Sequence, residues 1–170
     1  IEDVLRTGLP VFDCGGYYQR GLLQQYASAG LQLAGVTPEL APRLLAALCS
    51  LLSFPAAYIL GRRVHGPVVG LLFLIVLSLS VWEVEMSRFG RMYAPFQALF
   101  LWYTVFFVRV TVDHDRGGAW KMIALSAIAP LVWEGAALLA VANLLALFML
   151  RPSGNLKRSD TGPLLAGVAL

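Results

Sequence analysis

From residue 44 to residue 61 the chain carries no charged side chain, and from 67 to 82 and from 94 to 108 it again carries none. Apolar runs of this length, about 20 residues with their flanks, satisfy every backbone N–H and C=O without water only as α-helices in a bilayer. The composition agrees. The chain is 58% hydrophobic and 14% charged, with a mean hydropathy of +0.71, whereas soluble domains are about 25% charged. The expected fold is all-α, a polytopic transmembrane helical bundle. The 170 residues allow about four to six spans.

Breakers set the expected boundaries. Residues 1–38 read as an outer loop with an interfacial helix. Gly8 stops an opening helix, and Gly15-Gly16 mark a loop. The run from Arg20 to Ala34 carries Gln24, Gln25 and Gln32, too polar for a clean span. Thr37-Pro38-Glu39 then reads as a helix start. Membrane helices are expected over 39–60, 67–87, 91–112, 119–133 and 136–150, with a further helix starting over 163–170. A basic turn, Gly61–Gly66, separates the first two, and Pro55 should kink the first. The missing initiator Met and the apolar run that stops at Leu170 give the expectation of an incomplete bundle, a piece of a larger protein.

Charge gives an expected topology. The turns at 61–66, 113–118 and 151–162, with Arg109 and Lys121 at their edges, hold eight of the thirteen Lys and Arg and three of the ten acids. The opposite side holds five Arg, no Lys and seven acids. By the positive-inside rule the first set is cytoplasmic. That count also favours a break near Pro130 and Trp133-Glu134-Gly135 over one long helix from Ala119 to Leu150.

The stretch from Trp82 to Pro95 then lies on the outer face, with two carboxylates and two guanidiniums between apolar runs. Glu85, Arg88 and Arg91 are spaced three apart, so one helical face would carry them. A plain reading makes them helix-end charges. Against it, every cation on this face is Arg, whose planar fork suits phosphate. Arg20, Arg88 and Arg91, with Tyr18 and Tyr93, are therefore the candidate phosphate or sugar ligands. An aromatic belt is the plain reading of the tyrosines. Glu134, beside Trp133, is a candidate acid or a solvated turn residue. His65 and His114 stand far apart, and Cys14 and Cys49 give no basis for a disulfide. No phosphate-cradling loop, metal-ligand spacing or nucleophile triad is visible, and nothing suggests a nucleic-acid partner.

Several short patterns recur in a telling order: Gly8-Leu9-Pro10; Tyr18-Gln19-Arg20-Gly21 with Leu23 and Tyr26; Gly35-Val36; Arg43-Leu44; Tyr58-Ile59-Leu60-Gly61-Arg62-Arg63; and Ser87-Arg88-Phe89-Gly90-Arg91-Met92-Tyr93. Together they resemble the N-terminal half of GT-C-type membrane glycosyltransferases. The nearest group is the dolichyl-phosphate-mannose–protein mannosyltransferase-like family, glycosyltransferase family 39 and its bacterial relatives. The resemblance covers residues 1–112 well and the rest loosely. It implies a multi-pass enzyme, in a bacterial or archaeal cell membrane in preference to the endoplasmic reticulum. Such an enzyme moves a sugar from a polyprenyl-phosphate donor to an acceptor hydroxyl on the non-cytoplasmic side. Its partners would be that donor, membrane lipids and an acceptor the sequence does not specify, and a divalent metal stays open. The general base it implies is an acid expected upstream of Ile1, with Glu85 and Glu134 as weaker candidates and Glu83 as an alternative to Glu85. The rival readings are a transporter or flippase of a lipid-linked or anionic substrate, and a non-catalytic membrane subunit.

Overall fold

The computed structural model describes residues 2–10, 20–150 and 158–169. Its elements in chain order are α1 (Glu2–Thr7), α2 (Leu22–Leu33), α3 (Leu40–His65), α4 (Pro67–Leu79), α5 (Val81–Phe89) and α6 (Tyr93–Asp113). After these come α7 (Arg116–Val132), a 3₁₀ turn (Glu134–Ala136), α8 (Ala137–Leu150) and α9 (Arg158–Ala169). No strand occurs among the described residues. The all-α expectation holds. Helices α3 and α6 are each long and apolar enough to cross a membrane, and α4 and α5 qualify together although bent by 55°. Contacts divide the chain into two compact units, Ile1–Ala98 with Leu131–Trp133, and Leu99–Pro130 with Glu134–Leu170.

In the first unit, α3 and α4 form a close hairpin. The basic turn expected over 61–66 contracts to Gly66 alone. Helix α3 runs on to His65, and Arg62 and Arg63 in its last turn are cations that complement a helix C-terminus. Gly66, at φ 86, makes the reversal, and Pro67 opens α4 at its first position. Gly61 and Gly70 let the two backbones touch. A Cβ on Gly61 would sit 2.8 Å from the Val69 carbonyl oxygen, and one on Gly70 2.8 Å from the Tyr58 carbonyl oxygen.

The second expected span is not straight. Ser78 Oγ donates to the Ile75 carbonyl at 3.0 Å, a back-bond that bends helices. Ser80, at φ −64 and ψ 122, then ends α4 and caps α5. Small residues fill the interior: Ala41, Ala46, Ala56 and Ser53 are fully buried, while Leu51, Leu52, Leu71 and Leu72 lie more than half exposed. Small inside and large apolar outside is how membrane helices pack, since lipid solvates Leu as well as a core does.

The second unit centres on Tyr103, Met122, Leu139 and Leu164, all at most 2% exposed. Tyr103 Oη donates to Asn143 Oδ1, joining α6 to α8 across the apolar interior. Gly167 of α9 packs against the same amide, and a Cβ there would lie 2.5 Å from Asn143 Nδ2. Between α6 and α7, Arg109 pairs with Asp115 at 2.7 Å, and the same carboxylate accepts the Gly117 N–H at 2.9 Å. Those two bonds start α7 at Arg116, earlier than the expected 119. Helix α9 likewise starts at Arg158 with Pro163 inside it. The expected interruption near Trp133 is present as the 3₁₀ turn.

Candidate functional site

Two left-handed glycines build the local geometry. Gly21 caps α2 at φ 62, and a Cβ on it would meet Met92 Cβ at 3.2 Å. Gly90 ends α5 at φ 64, and a Cβ on it would meet Arg43 N and the Pro42 carbonyl carbon at 3.1 Å. The start of α2 therefore lies against the turn from Gly90 to Met92. Gln24 Nε2 donates to the Gly90 carbonyl and ties the two, while Gln25 Nε2 holds the Arg20 carbonyl at 2.9 Å. Helix α6 begins at Tyr93, whose ring meets Trp133 edge-on, with centroids 6.1 Å apart.

These contacts enclose a cleft of about 330 Å³. Arg20, Arg91 and Tyr93 line it with Gln24, Gln25 and Ser28. Its charged groups are the outer ones: Arg20 and Arg91 are exposed, whereas Gln24 and Ser28 are buried. Ser28 Oγ has no hydrogen-bond partner. A buried hydroxyl without a partner is costly, so a polar group seated against this wall would stabilise it. The arrangement suits a ligand with an anion at one end and hydroxyls at the other.

Of the residues singled out from sequence, Arg20, Arg91 and Tyr93 thus share one cleft. Arg88 and Glu85 line a different groove with Arg43, Leu44 and Phe89. The single helical face expected for residues 85, 88 and 91 does not exist, because Gly90 ends α5 between Arg88 and Arg91. No ion pair joins Glu85 to Arg88 among the described residues. Glu134 lies in the second unit, beside a cavity of about 220 Å³ that Ser126 and Gly167 also line. Tyr18 lies outside the described residues.

Sequence reasoning missed Gln24 and Ser28 as site residues. Their signal was the i, i+4 row Gln24–Ser28–Gln32 along α2, a polar stripe on an otherwise apolar helix. It also treated Glu83 as an outer-face charge. Glu83 is 4% exposed. Gln97 Nε2 donates to its Oε2, and its other oxygen is buried without a partner. This bond clamps α5 to the first turns of α6, on either side of the turn that carries Arg91. Among the described residues no three His, Cys, Asp or Glu side chains converge as a metal site.

Gly90→Ala tests how the cleft is held together. A side chain at φ 64 costs about 1–2 kcal/mol, and the added methyl presses on backbone atoms of α3. The expected result is a lower unfolding temperature for the purified protein in detergent. An unchanged midpoint would show that the turn has another way to pack.

A family model described as dolichyl-phosphate-mannose-protein mannosyltransferase matches residues 23–170. The match includes Gln24, Ser28, Arg91 and Tyr93 and begins just after Arg20. No curated protein and no solved structure matches the chain. With its apolar helices and a family match over most of its length, the chain is an integral membrane protein that belongs to the dolichyl-phosphate-mannose-protein mannosyltransferase family.

Proposed function

We propose that this chain takes part in moving a sugar from a polyprenyl-phosphate donor to an acceptor hydroxyl on the non-cytoplasmic face of the membrane. The observation that carries the reading is the cleft of Arg20, Arg91 and Tyr93, with its buried, unpartnered Ser28 hydroxyl. The two guanidiniums hold the donor phosphate, and Tyr93 orients it. The neutral wall of Gln24, Gln25 and Ser28 faces the sugar hydroxyls. Family membership supports the donor class, and the excess of Lys and Arg on the opposite turns supports the face.

The chemistry follows from the charges. The acceptor oxygen forms a bond to the anomeric carbon as the bond from that carbon to the phosphate oxygen breaks. The acceptor proton passes to a carboxylate, one outside the described lining of this cleft. The bonding electrons leave with the polyprenyl phosphate, whose charge grows from one to two. No acid is needed to protonate so good a leaving group. The guanidiniums meet the added charge where water is scarce, and there they count most.

The test is a transfer assay with the full-length protein in nanodiscs. It receives labelled hexose either on a polyprenyl phosphate or on a nucleotide diphosphate. Label should reach an acceptor from the lipid donor alone. Transfer from the nucleotide sugar, with none from the lipid, would overturn the reading.

A further inference from the structure

The groove between α3 and α5 has a different character from the polar cleft. It holds about 630 Å³ and is walled by Leu40, Leu44, Ala47 and Phe89. Arg43, Arg88 and Glu85 stand along the same groove. Among the described residues neither guanidinium takes part in an ion pair. We infer that this groove binds one membrane phospholipid with an anionic phosphodiester headgroup, its phosphate between Arg43 and Arg88 and an acyl chain along α3.

Three observations carry this. The first is the direction of the apolar track. Leu40, Leu44, Ala47, Leu48 and Leu51 recur at helical spacing on one face of α3. Leu48 and Leu51 beyond the groove are 47% and 59% exposed. Helix α3 is long and apolar enough to span the bilayer, so a chain on this face runs parallel to the lipids around it. The second is α5 itself, which turns apolar side chains outward alongside the exposed Glu85 and Arg88. Val81, Trp82 and Phe89 are each more than 60% exposed, and Glu83 is its buried residue. Such a helix belongs against lipid, at the level where Trp and Arg anchor. The third is charge. Two Arg and one Glu leave the groove at +1, which matches a monoanionic diester. A free polyprenyl phosphate monoester is more negative and would meet repulsion from Glu85, and the sugar donor, a monoanionic diester like the phospholipid, is the competitor to exclude. A diester with headgroup hydroxyls gives Glu85 a partner instead, and the Ser87 hydroxyl, which donates to the Val84 carbonyl at 2.8 Å, can still accept.

This site stands apart from the sugar-transfer reading, and its test needs no activity. The full-length protein is reconstituted in phosphatidylcholine nanodiscs with a minor fraction of phosphatidylglycerol, then released into detergent. Retained lipid is counted by native mass spectrometry. The wild type should keep one phosphatidylglycerol in preference to phosphatidylcholine. Arg43→Gln with Arg88→Gln should lower that occupancy about tenfold, the loss expected for charge-assisted hydrogen bonds. Ala47→Phe fills the groove without touching its charge and should have the same effect, which covers the case in which the double variant folds poorly. Equal retention of both lipids would overturn the inference. So would wild-type retention in the variants, or displacement of phosphatidylglycerol by added polyprenyl phosphate or polyprenyl-phosphate sugar.

Discussion

Gly70→Leu is expected to destabilise the first unit by about 3 kcal/mol, the upper part of the range for overpacking. The reason is that α3 and α4 touch backbone to backbone. A Cβ on Gly70 would sit 2.8 Å from the Tyr58 carbonyl oxygen and 3.0 Å from Arg62 N. Neither atom moves aside by changing a rotamer, so the helices must separate. Separation opens the interface on both sides of Gly61, whose own Cβ would lie 3.0 Å from Gly70 Cα. Gly70→Ala should fall between leucine and wild type. Gly30 supplies the contrast, since it lies in α2 with nothing within 4 Å of its Cβ position. Gly30→Ala should leave stability unchanged or raise it by up to about 1 kcal/mol, from helix propensity. Thermal unfolding in one detergent ranks the variants. A Gly70→Leu protein that melts with the wild type would refute the close crossing.

Arg91→Gln should lower the rate of sugar transfer about a hundredfold or more, as removal of one preorganised donor does in other active sites. The phosphate gains a negative charge as the sugar leaves, so the loss should fall mainly on kcat, with a smaller change in KM. Arg91→Lys keeps the charge but not the two-pronged geometry, so it should recover only part of the rate. Arg20→Gln should behave alike. Arg62→Gln, at the far end of α3 and on the lining of neither unit-one site, should stay near wild type. If Arg91→Gln transfers sugar normally while remaining folded, the cleft is not the donor site.

The two long spans, α3 and α6, were legible in the sequence because uncharged apolar runs of that length leave few alternatives to a membrane helix; of the five membrane helices expected, α7 and α8 are apolar but shorter than a span. The division of the charged stretch was not. Arg88 and Arg91 stand three apart, which reads as one helical face. Yet Gly90 between them takes φ 64, and one left-handed residue sends the two guanidiniums to separate sites. A glycine in an apolar helix gives no local sign of whether it will continue the turn or end it. That choice was made by Arg43 and Pro42 packing against it. The role of Gln24 was hidden for a similar reason, since its partner lies 66 residues away. Arg20 and Tyr93 could be named from sequence because interfacial Arg and Tyr are conspicuous. Ser28 could not, because a serine in a helix is usually unremarkable and only its burial without a partner gives it meaning.

The break at Ser80 has a consequence for the bilayer itself. Straight, the stretch from Pro67 to Phe89 would extend about 34 Å, enough for a full hydrocarbon layer. With α5 turned by 55° and α4 upright, it reaches about 27 Å. Where the two helices cross as one span, the lipid beside them must thin by several ångströms, which carries a cost for every ångström of mismatch. Short-chain lipids remove that cost. The bend therefore makes acyl-chain length a determinant of how comfortably this wall of the protein sits in its membrane.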